Sequence, residues 1–421
     1  MSEEFNKAGI DANFSSRIGR RQFNSLLAAS IAGTLLLPLS ACAGKSAPEK
    51  AKPTPEPFNE DTSKKPGELQ VIHQPENAAL KIRFGKEETI PLLSDIAYFP
   101  DAHFAFRRKK NGNVEVWIPG GVSTYYFSGR DFEHLKSGNV DERGNPAPVF
   151  GPDPSVGFIQ DYAGICSVFQ SNSENDLIGF GHGENRPSPG DAGHYLATTF
   201  RVESHDSGIT WENPEAIIAG KNIDKSHKRI SGAGQPCVIS VQEPDGKKYF
   251  YAYTTKWNAT EADAIHLSRA PLEKGGKPGT WEQFTKNKGF VPLVIDKNGN
   301  GGSSDAVITP PKFELYGNTV YAALASVSWN KNLGKLVCVF ETAIGFCSAL
   351  SSDGVNWTDY QALLKLPSKD DRGYNRFTYP TLISGSEASD RTTSQTGHIY
   401  YAKSEAGAAP HTMLRRPFLI G

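Results

Sequence analysis

The sequence of 421 residues has no excess charge of one sign, because 45 lysine and arginine residues balance 46 aspartate and glutamate residues. Such a chain lacks the basic surface that neutralises a nucleic-acid backbone, so we predict no nucleic-acid partner. The sequence also has no Cys-x-x-Cys pair, no glycine-rich phosphate loop and no Gly-x-Ser-x-Gly motif. These absences argue against a zinc finger, a nucleotide-binding P-loop and an α/β-hydrolase nucleophile.

Near the N-terminus, the apolar run LLAASIAGTLLLPLSAC (26–42) is too short and too rich in small residues for a comfortable membrane span. The pair Arg20-Arg21 precedes it, and LSAC at its end resembles a bacterial lipobox. We predict that 1–41 is a twin-arginine-like signal peptide and that Cys42 is lipidated. Pro, Lys and Glu dominate 42–70, so this segment is predicted to be a disordered tether. The expected location is the periplasm or outer membrane, with the lipid on Cys42 as anchor.

Only four other cysteines are present, namely Cys166, Cys237, Cys338 and Cys347. Cys166 and Cys237 lie in apolar runs, which predicts buried free thiols. Cys338 and Cys347 are close enough in sequence to bridge a hairpin, and an exported protein meets an oxidising compartment that permits such a bond.

Glycine, proline and aromatic residues are abundant: the chain has 41 Gly and 28 Pro, and 10% of its residues are aromatic. This composition favours β structure with many turns. Five alternating apolar runs share a plan and recur every ~60 to 74 residues, a spacing typical of propeller blades. We predict a five-bladed β-propeller of four-stranded antiparallel blades over 71–421, closed by the strand-like segment 79–85. The runs align at Asp101, Asp161, Gln235, Asp305 and Tyr379.

Two tight turns are near copies of each other, SHDSGITW (204–211) and SSDGVNW (351–357). In each, the Asp can accept hydrogen bonds from backbone N–H groups, the Gly can adopt a left-handed conformation, and the Trp can pack beneath the turn. The motif resembles the Asp-box of β-propeller proteins. We predict a structural role for it, between the third and fourth strands of a blade.

The first two strands of a blade are antiparallel, so the start of the first lies beside the end of the second. This geometry predicts one mouth at which acids and aromatic rings converge, a combination that suits proton transfer to a bound sugar. The residues expected there from first-strand starts are Asp101, His103, Asp161, Gln235, Asp305 and Tyr379. Those expected from second-strand ends are His182, Glu184, Trp257 and Trp329.

This arrangement resembles the five-bladed glycoside hydrolases, such as the arabinanase and β-xylosidase family 43. The resemblance implies that Asp101 in PDAH is the general base and that Asp161 in QDYAG orients the acid. At the third position of the family pattern, a Glu that acts as general acid, this chain has Gln235, and glutamine cannot donate a proton at neutral pH. Glu184 in GHGEN is the nearest substitute, and the remaining residues of the mouth are expected to bind substrate.

Three functions remain open at this stage. The first is an exported glycosidase that acts on a poly- or oligosaccharide. The second is a non-catalytic glycan-binding lipoprotein, which Gln235 favours. The third is a sialidase-like hydrolase, although the sequence has neither six units nor the expected arginine triad beyond Arg372 and Arg376. In each case we predict a monomer without a cofactor or catalytic metal, leaving only a structural cation in the central channel as an option.

Overall fold

The structure is a computed structural model, and the chain it describes is built from strands. The described residues are 58–65, 67–90, 96, 98–186, 194–221, 230–257, 262–313, 317–318, 320–367, 376–404 and 411–421. Within these ranges the helical elements are two short 3-10 turns, Phe132–His134 and Leu272–Lys274. No helix in the described part is long and apolar enough to cross a membrane. The all-β prediction is confirmed.

The first half of the chain contains the strands β1 (Gln70–Val71), β2 (Ile82–Phe84), β3 (Glu88–Thr89), β4 (Ala105–Arg108), β5 (Val114–Gly120), β6 (Ser123–Gly129), β7 (Lys136–Ser137), β8 (Tyr162–Gln170), β9 (Leu177–Asn185), β10 (Leu196–Ser204) and β11 (Glu212–Ala219). The second half contains β12 (Ser231–Gln242), β13 (Lys248–Trp257), β14 (Ala264–Pro271), β15 (Glu282–Thr285), β16 (Gly289–Pro292), β17 (Ala306–Ile308), β18 (Lys312–Phe313), β19 (Gly317–Asn318), β20 (Ala322–Asn330), β21 (Lys335–Thr342), β22 (Gly345–Ser351), β23 (Trp357–Lys365), β24 (Arg376–Ile383), β25 (Thr392–Thr393), β26 (Thr396–Ser404) and β27 (Thr412–Ile420).

Neighbouring strands pair antiparallel in meanders, with short turns between them. The meanders are β4–β5–β6–β7, β8–β9–β10–β11, β12–β13–β14–β15–β16, β20–β21–β22–β23 and β24–β26–β27–β2. Strands in the middle of a meander, such as β21 and β22, are buried along their whole length. The fourth strand, such as β23, has an exposed or half-exposed middle. Apolar side chains on both faces of the inner strands therefore form the core.

Three first strands carry a bulge near their beginning, at Gln235, Leu324 and Tyr379. At each bulge, two residues of the first strand lie opposite one residue of the partner strand. The backbone φ angles are 53°, 55° and 60°, in the left-handed region that non-glycine residues rarely occupy. A bulge changes the direction of the side chains beside it, and bulges are over-represented next to active sites.

The predicted repeat is wrong at one unit. The segment 302–309 forms only the short strand β17, which pairs with β14 of the preceding meander. The first strand of the next meander is β20, which was predicted to be a second strand. Between β17 and β20, Gly317-Asn318 forms β19 and pairs with β18. The position equivalent to Gln235 and Tyr379 is therefore Leu324, and the register based on Asp305 does not hold.

Both ends of the described chain meet in one sheet. Strand β2 lies within the predicted closing segment 79–85 and pairs antiparallel with β27. Beside this pair, the fully buried guanidinium of Arg416 donates to Asp61 Oδ2 at 2.8 Å and to the carbonyls of Leu69 and Gly85 at 3.1 Å. Asp61 and Leu69, which belong to the predicted tether, thus contact the last strand. The predicted signal peptide, Cys42 and the earlier tether lie outside the described residues.

The two repeated turns connect β10 to β11 and β22 to β23. In the first, Asp206 Oδ1 accepts hydrogen bonds from the N–H groups of Ile209 and Thr210 at 3.1 and 2.9 Å. In the second, Asp353 Oδ1 accepts from Val355 and Asn356 at 2.8 Å each. Each Trp indole N–H donates to the carbonyl of the turn glycine, whose φ is about 80° in both turns. The two motifs therefore form similar turns, although the first has one more residue, so its Asp accepts from N–H groups one position further along the chain.

All four cysteines of the folded part are buried free thiols. Cys166 and Cys237 agree with the prediction. The bridge suggested for Cys338 and Cys347 is not present, because Cys338 lies opposite Ala349 and Cys347 opposite Phe340 in the β21–β22 pairing. The two thiols sit on neighbouring strands but at different levels.

Candidate functional site

A pocket of about 430 Å³ opens where the beginnings of β12, β20 and β24 meet the ends of β13 and β21. This convergence of first-strand starts and second-strand ends is the one that the strand order predicts. Aromatic rings and a few charged groups line it: Tyr195, Gln235, Trp257, Tyr321, Leu324, Glu341, Arg376 and Tyr379 among others. The volume and the lining suit a small organic ligand with polar substituents.

Asp101 lies just before β4 and is connected to the pocket through Tyr379. The Tyr379 hydroxyl donates to Asp101 Oδ1 at 2.9 Å. The Tyr162 hydroxyl and the Gln235 amide approach the Asp101 carbonyl oxygen at 3.2 and 3.5 Å. Its backbone N–H donates to the Pro119 carbonyl at 2.9 Å. Asp101 is therefore fixed by side chains from three other meanders.

Burial raises the pKa of Asp101 to about 8, and the negative charge of Glu184 adds to this effect. The Tyr379 hydrogen bond and the charges of Arg376 and Arg186 act in the opposite direction but do not outweigh it. Asp101 is therefore protonated at neutral pH, which is unusual for an aspartate and typical of a carboxyl group with a chemical task.

Glu184, near the end of β9, is a hydrogen-bond acceptor from two cationic or polar neighbours. Arg186 donates to Glu184 Oε2 through Nε and Nη2, at 2.9 and 2.8 Å. The His182 Nε2 atom lies 3.2 Å from Oε1. Both Arg186 hydrogen bonds are charge-assisted and end on the same oxygen, while His182 lies beside the other oxygen.

Asp161 contacts the backbone of Glu184 and Arg186 rather than the Glu184 carboxylate. Its Oδ2 atom accepts the backbone N–H of Arg186 at 2.7 Å, and its own N–H donates to the Glu184 carbonyl at 3.0 Å. Asp161 thereby holds the backbone that carries both Glu184 and Arg186.

The predicted binding residues are divided between the pocket and its surroundings. Gln235, Trp257 and Tyr379 line the pocket. His182 is fully buried beneath it, with its ring 6.0 Å from Trp257. His103 lies in the core, where Nε2 is 3.3 Å from Asp390 Oδ2 and Nδ1 is 3.2 Å from the Thr381 hydroxyl. Both ring nitrogens of His103 are therefore engaged away from the pocket, so neither is left for substrate.

Two predicted residues lie elsewhere. Asp305 lines a separate cavity, and its Oδ2 atom accepts the backbone N–H of Lys286 at 2.8 Å. Trp329 is at the far end of β20, six residues and about 20 Å from the pocket end of that strand, and it is 42% exposed. Both residues were misplaced because the repeat assigned the first strand of this meander to 302–309 instead of to β20.

Sequence reasoning missed Glu341 and assigned no binding role to Arg376. Glu341 lies in the apolar strand β21 and is 7% exposed; its Oε1 atom accepts the Tyr321 hydroxyl at 3.0 Å. Its Oε2 atom has no hydrogen-bond partner among the described residues. Burial raises the pKa of Glu341, although the charge of Arg376 opposes this. A single acid within the apolar run KLVCVFET was the available signal.

The described residues contain no group of three His, Cys, Asp or Glu side chains placed to hold a metal ion. Of the two arginines considered for a sialidase-like triad, Arg376 lines the pocket and Arg372 lies outside the described residues.

No family model matches the chain, and no curated protein sequence is similar enough to match it. Several solved structures are similar in part. An α-L-arabinofuranosidase from Lactobacillus brevis has 10% identity and a TM-score of 0.47, over 78% of this chain and 92% of that one. An enzyme from Xanthomonas citri solved with xylotriose gives 11% and 0.46, over 78% and 89%. An endo-arabinase from Bacteroides thetaiotaomicron gives 11% and 0.43, over 78% and 96%. With TM-scores below 0.5, these similarities assign no activity to this chain.

Proposed function

We propose that this protein is an exported glycoside hydrolase that acts on a poly- or oligosaccharide, and that its meanders are the blades of a five-bladed β-propeller. The proposal is supported by a pocket with aromatic walls, which suit the faces of sugar rings, and by carboxyl groups beside it. Glycoside hydrolysis needs two carboxyl groups in different protonation states on either side of the scissile bond.

The observation that carries the proposal is the contrast between Asp101 and Glu184. Asp101 has a pKa raised to about 8 by burial and by the charge of Glu184, so it holds a proton at neutral pH. Glu184, in contrast, lies beside the guanidinium of Arg186, which donates two charge-assisted hydrogen bonds to its Oε2 atom. Two carboxyl groups whose environments differ in this way are typical of an acid paired with a nucleophile or base.

These environments favour roles opposite to those that the family pattern implies. In the proposed mechanism Asp101 donates its proton to the glycosidic oxygen as that bond breaks. Glu184 then acts on the other side of the ring, as the base for a water molecule or as the nucleophile. Asp161 is a positioning residue, because it holds the backbone of Arg186, which in turn orients Glu184.

The pH dependence of kcat/KM separates the two assignments. If Asp101 is the acid, activity persists below pH 8 and falls as the pH rises through about 8, where Asp101 loses its proton. If Asp101 is the base, activity falls as the pH drops below about 8. The measurement is release of reducing sugar from a panel of polysaccharides between pH 4 and pH 10.

Substitutions complete the test. Asp101→Asn and Glu184→Gln should each lower kcat by about 10²- to 10⁴-fold while the protein remains folded. With an activated aryl glycoside, which needs no protonation of its leaving group, Asp101→Asn should recover much of the lost rate and Glu184→Gln should not. Full activity in both variants would contradict the assignment.

A glycan-binding protein without catalysis is the second candidate, and Gln235 favours it. The Gln235 side chain occupies the third-blade position of the family's acid, lines the pocket, and leaves its Oε1 atom without a partner among the described residues. A buried amide oxygen without a partner is costly, so a sugar hydroxyl that reached it would bind favourably. Tight binding of a glycan from which the wild type releases no sugar would establish this function instead.

We also propose that the protein is exported, by a signal within 1–41, and anchored to the membrane by a lipid on Cys42. The motivation is LSAC followed by a polar segment. Cys42→Ala should release the protein from the membrane fraction or leave a longer precursor, as judged by mass spectrometry. An unchanged membrane fraction with an unchanged mass shift would disprove the anchor.

A further inference from the structure

A second cavity of about 680 Å³ adjoins the first, and Trp257 lines both. Its walls come from the end of β13, the beginning of β14 and the segment that leads into β17. The indole of Trp257 therefore stands at the boundary between two spaces, each large enough for part of a ligand.

The second cavity contains Lys256, whose ammonium group contacts a hydroxyl and a carbonyl. Lys256 Nζ lies 2.6 Å from Ser304 Oγ and 3.5 Å from the Gly302 carbonyl. Ser304 Oγ also lies 2.8 Å from His266 Nδ1. Among the described residues, no carboxylate is within ion-pair distance of Lys256, and burial alone lowers its pKa, to about 8.

Lys256 is half-buried, and a partly desolvated cation without a counter-ion is costly, so a cavity beside it favours an anionic ligand. Lys256 is still mostly charged at pH 7. Lys221 and Lys286 also line this cavity and add positive charge. Burial, and the charge of Lys256, lower the pKa of His266 to about 3, so His266 is neutral and can still form hydrogen bonds. Asp305 also lines this cavity and contributes a negative charge, and its Oδ2 atom accepts a hydrogen bond from the backbone N–H of Lys286.

We propose that the second cavity binds the anionic substituent of an acidic sugar, either a sulfate ester or a uronate carboxylate. The substituted unit occupies the cavity around Lys256 and Ser304, and the neighbouring unit of the same glycan occupies the pocket on the other side of Trp257. This inference rests on the proposed function and names its substrate class.

The test is calorimetric binding of matched oligosaccharides of equal length that are neutral, carboxylated or sulfated. Wild type should bind at least one acidic series more tightly than the neutral one, and the stronger series identifies the substituent. Lys256→Gln should weaken acidic binding by about 10- to 100-fold, which is the range for a lost charge-assisted hydrogen bond, and leave neutral binding unchanged. Lys248→Gln is the matched control, because Lys248 is exposed at the other end of the same strand.

Lys286→Gln provides a second variant at an exposed position, so it should not disturb folding. It should weaken acidic binding by up to about 5-fold. Equal affinity of the wild type for neutral and acidic glycans would overturn the inference, as would an equal loss of both in Lys256→Gln. Binding of inorganic sulfate without any acidic glycan would also overturn it. If acidic glycans bind through Lys256 but none is hydrolysed, the inference stands and the proposed activity fails.

Discussion

Carboxyl groups occur in two contrasting regions of this protein. In the repeated turns, burial acts to raise the pKa of Asp206 and Asp353, but hydrogen bonds from backbone N–H groups and hydroxyls outweigh it, so both pKa values are lowered. Beside the pocket, the effect of burial exceeds that of hydrogen bonds and nearby arginine charges, so the pKa values of Asp101 and Glu341 are raised. The fold thus favours the charged form of the carboxyl group in one region and the neutral form in the other.

The difference teaches how to separate structural acids from candidate functional ones. Asp206 and Asp353 stabilise a turn, and their hydrogen bonds are made within a few residues of sequence. Asp101 receives the Tyr379 hydroxyl from 278 residues away, and Glu341 keeps one oxygen unpartnered among the described residues. A carboxyl group whose charged form is destabilised by burial is a better candidate for a chemical role than one whose charged form is stabilised by hydrogen bonds.

The largest effect on stability is expected in the turns themselves. Trp211→Ala and Trp357→Ala should each lower the free energy of unfolding by about 3 to 5 kcal/mol, because each removes a large ring that is no more than 9% exposed. Trp329→Ala is the matched control and should cost less than about 0.5 kcal/mol, since Trp329 is largely exposed. Chemical denaturation measures all three. Loss of glycan binding without loss of stability would contradict the structural role.

Next is a pH effect from the pocket, which is smaller than the tryptophan losses over any single pH unit. The raised pKa of Asp101 means that the native state binds its proton more tightly than the unfolded state. The stability this contributes is complete below the unfolded pKa of about 3.9 and is lost as the pH rises to about 8. Relative to wild type, Asp101→Asn should therefore gain at most about 1.4 kcal/mol per pH unit across this window. A constant difference between pH 5 and pH 8 would show that Asp101 is ionised throughout.

The turn acids should show the opposite sign. Because the pKa of Asp353 is lowered, its contribution to stability is present above the unfolded pKa of about 3.9 and is lost as the pH falls below it. Asp353→Asn should cost about 1 to 2 kcal/mol at pH 7 and almost nothing near pH 2. Asp206→Asn should behave alike, and the two losses should add because the turns are separate. Melting curves at the two pH values provide the check.

The smallest effect concerns the link between Tyr379 and Asp101. The hydrogen bond from Tyr379 lowers the pKa of Asp101. Tyr379→Phe should therefore move the alkaline decline of kcat/KM to higher pH, by less than about one unit. Tyr321→Phe is the control, because Tyr321 donates to Glu341 instead. A shift to lower pH in Tyr379→Phe would contradict the assignment of the titrating group.

Much of the fold and part of the site follow from local sequence. Strand β2, the two turns and the approach of Asp101 to Tyr379 were predictable, because alternation, turn dipeptides and antiparallel pairing are short-range rules. Asp305 and Trp329 were misplaced because the short strands β15 to β19 interrupt the repeat. An alignment based on a constant repeat length fails across such an irregular segment.

The remaining parts of the site depend on burial, which a sequence does not display. Asp101 and Asp206 are the same residue type, each next to aromatic and polar neighbours in sequence, yet their pKa values move in opposite directions. Glu341 and Lys256 each stand in an otherwise apolar or aromatic strand, which is the visible sign of a buried charge. Their partners come from distant strands and could not be assigned from sequence spacing.

The pairing of β2 with β27 also has a consequence for how the protein is made. One of these strands is among the first of the folded part to leave the ribosome, and the other is the last, ending at Ile420. Their sheet therefore cannot form until β27 has left the ribosome, and until then the edge of β2 has no partner strand there. A chain that is truncated by only ten residues would lose the partner of its first strands and the Arg416 contacts at the same time. The first strands of the described fold thus depend on β27 for completion of their sheet.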